Sequence, residues 1–110
     1  MTSIHRIYVL VRQDISLAQQ MVQACHASAE MARQYYERTA NIAHLVLLSV
    51  ENEDKLLHAA ERLSSQGIDH VVFHEPDDNM GYSALASQPV SSEASRAFRK
   101  WPLWKPAASL

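Results

Sequence analysis

The stretch Val9-Leu-Val-Arg12-Gln-Asp14-Ile-Ser16-Leu-Ala-Gln19-Gln-Met21-Val-Gln23-Ala-Cys25-His26-Ala-Ser-Ala29 decides how the chain folds. An apolar run from Ile7 to Val11 stops at Arg12-Gln13-Asp14, and a helical pattern begins just after it. Ser16 with Gln19 three residues on forms a capping box, which satisfies free amides at a helix start. Leu17, Met21, Ala24, Cys25, Ser28 and Ala32 then recur at helical spacing and are expected to form the buried stripe, with Cys25 a structural thiol on it. Past Met21 these residues are small, so the helix backbone is expected to lie close against its cover. The strand end thus delivers Arg12 and Asp14 to the mouth of a helix whose first turns carry Gln19, Gln23 and His26. Such junctions are common places for α/β proteins to build sites.

Outward from this stretch, residues 4–11 read as a β-branched strand, and the helix runs on through Tyr35-Tyr36 toward Arg38. Residues 39–43 connect to a second apolar strand, His44–Val50. Asn52 is placed to cap a second helix, with Glu53 and Asp54 in a first turn where the dipole favours negative charge. Leu56, Leu57, Ala60 and Leu63 form its apolar stripe, and Gly67 is a natural stop. A third strand, His70–Glu75, leads into turn chemistry at residues 76–81. A weak fourth strand is expected at residues 85–90, at an edge or strand end because Pro89 donates nothing to a ladder. A short helix at residues 94–100 precedes a tail, Trp101-Pro-Leu-Trp-Lys-Pro, that cannot continue as a regular helix. The order β-α-β-α-β-β-α predicts an α/β fold, a three-layer α/β/α sandwich around a small mixed sheet of about four strands. Residues 1–100 would form the single domain and residues 101–110 a C-terminal tail.

Bulk properties narrow the function classes. With 110 residues the chain supports one core, and 47% apolar against 20% charged residues argues for a folded protein. The net charge of −2 excludes nucleic-acid binding by bulk charge, so any RNA contact needs a local basic patch. One cysteine rules out an internal disulfide and fits a reducing compartment. No apolar run approaches the ~18 residues of a spanning helix, and the first six residues lack a signal-peptide core, so a cytoplasmic protein without membrane contact is expected.

Several residues invite chemical readings. His26 sits mid-helix, roughly 100° round from Cys25, either as a core-edge histidine satisfied by backbone or water, or as a catalytic one. His70 and His74 share a face of the third strand, but i, i+4 along a strand separates them by about 13 Å, too far for one ion. No metal site is expected there. Glu75 closes that strand facing a loop, where a carboxylate serves as acid, base or hydrogen-bond acceptor, or is simply solvated. Arg96, Arg99, Lys100 and Lys105 stand against only Glu93, with Trp101 and Trp104 nearby. That segment either holds a phosphate backbone or is a helix whose basic end suits the dipole, its tryptophans folded back on the body. Gly67 and Gly81 are the only glycines, so there is no phosphate-cradling loop, and no nucleophile elbow or paired Cys-x-x-Cys exists.

Together, Arg12-x-Asp14 at the strand end, Gln23-x-x-His26-Ala27 on the helix and the strand and loop opening at Glu75 resemble the archaeal and eukaryotic type of peptidyl-tRNA hydrolase. The resemblance covers nearly the whole chain to about Arg99 and is strongest in the first helix. It implies a four-stranded mixed sheet between helices, often dimeric, so a homodimer is expected. It implies hydrolysis of the ester joining a peptide to tRNA, with no metal and no cofactor. The family's Gln-Cys-x-His-Ala stands here as Gln23-Ala24-Cys25-His26-Ala27. Its functional lysine falls at Gln19, its aspartate after the third strand at Glu75, and its threonine four residues on at Asn79. The Ser-Gln-Thr-Val stretch corresponds to Ser87-Gln88-Pro89-Val90.

The resemblance implies water as the attacking group, His26 or Glu75 orienting or deprotonating it, and Asn79 and Gln19 donating to the oxyanion. Arg12, Asp14, Gln23, Arg99 and Lys100 complete the expected substrate-binding set, with Arg12 at a phosphate. Gln19 offers a neutral amide where the family has a full charge, and Glu75, Asp77 and Asp78 gather three carboxylates beside an anionic substrate. Those departures define the competing expectation, a non-catalytic module of the same fold that binds a protein or small ligand through the Glu75 loop and the tryptophan tail.

Overall fold

The computed structural model describes residues 5–35 and 43–106. Its elements in chain order are β1 (Arg6–Arg12), α1 (Leu17–Tyr35), β2 (His44–Val50), α2 (Glu53–Ser65), β3 (His70–Glu75) and β4 (Gly81–Ser87), with short 3-10 segments at Asp77–Asn79 and Ala94–Phe98. The strands form one mixed sheet in the order β2-β1-β4-β3. β1 runs parallel to β2, and β4 pairs antiparallel with both β1 and β3. The carboxyl ends of β1, β2 and β3 and the start of β4 therefore meet at one end of the sheet.

Strand alternation sorts the core into two layers. Tyr8 and Leu10 of β1 join Leu48, Leu56, Leu63, Leu85 and Phe98 beneath α2. Val9 and Val11 join Ala27, Met31, Val71, Ala84 and Ala86 beneath α1. The fold is the expected α/β/α sandwich. Asn52 caps α2 as its chemistry demands, its side-chain oxygen accepting the Lys55 amide at 3.0 Å. Ser16 and Gln19 close the capping box reciprocally at 2.9 and 3.1 Å.

Three expectations are corrected. Gln20, Gln23, Ala27 and Met31 form the buried face of α1, rotated roughly 90° from the predicted stripe. Leu17 and Met21 stand 55% and 63% exposed, and Cys25 is an exposed free thiol. Hydropathy placed the stripe on the wrong residues because two glutamines are satisfied internally, and among the described residues no buried side-chain nitrogen or oxygen lacks a partner. Secondly, β4 starts at Gly81 and is a central strand, not a weak one at an edge. Pro89 lies beyond its end, and Val90 resumes pairing by exchanging hydrogen bonds with Arg6 at 2.8 and 2.9 Å. Thirdly, the predicted helix at residues 94–100 is a shorter 3-10 segment.

Residues 102–104 lie along the outer edge of β2. Leu103 bridges Leu48, Ser49 donates to the Pro102 carbonyl at 3.1 Å and Trp104 donates to the Leu47 carbonyl at 2.8 Å. An open strand edge is thereby covered. Trp101 packs on the α2 layer and Trp104 on the α1 layer. The expected strand start at residue 4, the continuation of the first helix through residues 36–38 and most of the connection at 39–43 lie outside the described residues.

Candidate functional site

The polar centre of the molecule sits where α1 crosses the end of β3. Gln23, 2% exposed, donates from Nε2 to Glu75 Oε1 at 3.0 Å and accepts from the Ser83 hydroxyl at 2.6 Å. Ser83 is fully buried on β4. Its hydroxyl proton fixes which way the Gln23 amide faces, and the amide in turn steers the carboxylate. His26, one turn along α1, lies flat on Phe73 of β3, ring centroids 4.6 Å apart and planes 2° apart. The imidazole and Glu75 therefore share the α1 face of the sheet, as the sequence pattern requires.

β3 and β4 change register between Phe73 and His74. This irregularity precedes the Asp77–Asn79 turn, where Asp78, Asn79 and Gly81 all take positive φ. The turn is pinned from below by Glu53, which accepts the Tyr82 amide at 2.8 Å. Gly81 has a φ of +77°, a conformation that residues with side chains rarely adopt, and the Glu53 carboxylate packs against it, so the position favours glycine.

Arg12 braces the same end. Its Nε and Nη2 donate to the two Asp14 oxygens at 2.6 and 2.8 Å, and Nη1 to the carbonyls of Met80 and Tyr82 at 2.6 and 3.2 Å. Four of the five N–H groups of the fork are occupied, leaving one for a ligand. The guanidinium holds the Asp14 carboxyl below the usual carboxylate range, chiefly by hydrogen bonding.

The predicted site residues thus divide. Arg12, Asp14, Gln23, His26 and Glu75 gather at one sheet end. Gln19 holds the helix start through its carbonyl oxygen, which leaves its NH2 group to donate, and Asn79 is exposed in the turn. Arg99 and Lys100 are not part of this group. They follow Phe98, which is buried in the α2 layer, and Lys100 lies over the Trp101 ring on that opposite face. His70 and His74 go to separate partners, the Ile68 carbonyl and the Tyr82 ring. Among the described residues no three His, Cys, Asp or Glu side chains are grouped to hold a metal ion. Sequence reasoning missed Ser83 and Phe73. Nothing in the local pattern marked them, because their partners Gln23 and His26 lie on a different element far along the chain.

A family model described as Peptidyl-tRNA hydrolase PTH2 matches residues 5–97. Among solved structures, a protein of unknown function from Agrobacterium tumefaciens strain C58 is similar, with 13% identity and a TM-score of 0.69 over 96% of this chain and 100% of that one. At such identity the likeness speaks for the fold alone. No curated protein sequence matches the chain. The family match runs from β1 through the 3-10 segment at Ala94–Phe98 and takes in every element of the site, so the chain belongs to the PTH2 family of peptidyl-tRNA hydrolases.

Proposed function

We propose that this protein hydrolyses the ester between a peptidyl or related acyl group and tRNA. The observation that carries the reading is the Ser83–Gln23–Glu75 relay, which presents a carboxylate of fixed orientation on the sheet face where His26 lies against Phe73. Gln23 occupies Oε1 of Glu75, and Oε2 is the atom that receives the attacking water. Glu75 orients or deprotonates that water, with His26 as the second group able to accept its proton. Attack on the ester carbonyl places negative charge on oxygen, which the free NH2 of Gln19 and the Asn79 amide stabilise as donors. The remaining N–H of Arg12 takes a substrate phosphate oxygen, and Asp14 keeps the guanidinium in place. The same reading carries a cytoplasmic location, fitting the single free thiol, and a homodimer. No helix among the described residues is long and apolar enough to cross a membrane.

The test is turnover of purified peptidyl-tRNA. The native protein is expected to release the peptide, and Glu75→Ala is expected to lose most of that rate while remaining folded. Gln19→Lys, which supplies a charged donor, is expected to raise the rate; a gain near the top of the charge-assisted range, about 3 kcal/mol, corresponds to about a hundredfold. A silent native protein beside an active Gln19→Lys variant would overturn the reading in favour of a scaffold that only binds.

A further inference from the structure

Half of the chain's ten lysines and arginines line two depressions on the α2 face, away from the Gln23–Glu75 centre. One, of about 430 Å³, includes Lys55, His58, Arg62 and Lys100. The other, of about 600 Å³, includes Arg62, Arg96, Arg99 and Lys100. Sharing Arg62 and Lys100 makes them one continuous groove. Among the described residues none of these five cations is in an ion pair; the pairs present are Arg12–Asp14 and Arg33–Glu30. Glu51 and Glu93 are the acidic side chains in the walls. In a chain of net charge −2 this is strong segregation of positive charge.

The groove has a direction. Lys55, His58, Arg62 and Gln66 are spaced to share one face of α2, spanning about 16 Å of helix axis. That length is enough to meet several successive phosphates of one strand. Its head lies beside Gln13 and Val50, at the carboxyl ends of β1 and β2. This is the sheet end that also carries Glu75. A half-buried Trp101, with Lys100 over its ring at 5.8 Å, supplies a flat apolar wall between the cations.

We infer that this groove is a binding track for an RNA sugar-phosphate backbone, running from the sheet end that holds the candidate site down the α2 face. An acidic protein is less well matched, because the track joins five cations to a stacking ring, the pairing that suits phosphates and bases together. The inference rests on the proposed function for the identity of the RNA, and its test requires no turnover. Binding of deacylated tRNA to the full chain is measured against salt concentration for the native protein, for Arg62→Ala/Lys100→Ala and for Arg33→Ala on the α1 layer. All three replaced residues are exposed, so the fold is kept.

The double variant is expected to bind at least tenfold more weakly than the native protein near 100 mM salt. Its log–log salt slope is expected to fall by about 1–2 as two phosphate contacts vanish, while Arg33→Ala stays close to native. Equal affinity and slope for the double variant would overturn the inference. Equal loss in Arg33→Ala, or competition by polyglutamate as effective as by tRNA, would do the same. Binding with these properties by a protein that never turns over peptidyl-tRNA upholds the track while removing the proposed activity. Turnover that ignores both cations leaves the activity and removes the track.

Discussion

Replacing Gln23 with leucine is expected to destabilise the protein by about 3 kcal/mol. The side chain is 2% exposed and joins two groups that differ in their access to water. Ser83, fully buried, would lose the acceptor of its 2.6 Å bond, and its other acceptor, the Phe73 carbonyl, stands at 3.5 Å. A stranded buried hydroxyl costs about 1–3 kcal/mol. Glu75 is only part-buried, so water replaces the lost donor and this half of the loss stays near the low end of the charge-assisted range, about 1.5 kcal/mol. Urea unfolding reads the sum as a midpoint lowered by about 1–2 M at unchanged slope. The decisive measurement is the cycle with Ser83→Ala, since removing both partners of a buried bond costs less than removing either alone. The double variant should therefore recover about 1–2 kcal/mol relative to the sum of the singles. Additivity within about 0.5 kcal/mol would refute the argument, because it would mean the two side chains do not depend on each other.

Other perturbations have defined outcomes. Gly81→Ala combines a positive φ with a clash against the Glu53 carboxylate and should cost about 1–3 kcal/mol by thermal unfolding. The Arg12 bond lowers the Asp14 carboxyl below its ordinary value of 3.8, so its stabilisation is complete above that value and is lost as pH falls through the lower folded one. Asp14→Asn should accordingly flatten the stability profile below about pH 4; Asp14 is 39% exposed, and solvent screening keeps the effect below about 1 kcal/mol. Trp104→Phe removes the 2.7 Å bond to Gln20 Oε1 that anchors the segment after Lys100. Faster hydrogen exchange at the Ser49 and Trp104 amides, with the rest of the sheet unchanged, is the expected reading.

Local chemistry alone located most elements. Asn52 and the Ser16–Gln19 pair announced helix starts because capping is settled within three or four residues. The apolar runs of β2 and β3 coincide with the strands, since both are apolar enough to be legible without a partner. The family pattern likewise brought Arg12, Asp14, Gln23, His26 and Glu75 into view as one set.

The face that α1 buries was decided only by tertiary structure. Gln20 and Gln23 look like surface residues until Trp104, Ser83 and Glu75 arrive from 84, 60 and 52 positions away to satisfy them. Burial of a polar side chain depends on whether its hydrogen bonds are met, and those partners are invisible to any local window. The same reason governs β4, whose small residues Ala84 and Ala86 become central because α1 needs room above them. It governs Arg99 and Lys100 as well, which the expected substrate-binding set groups with Glu75 but which chain direction after Phe98 assigns to the α2 face. Short-range interactions write the elements, while long-range polar satisfaction and packing choose which faces meet.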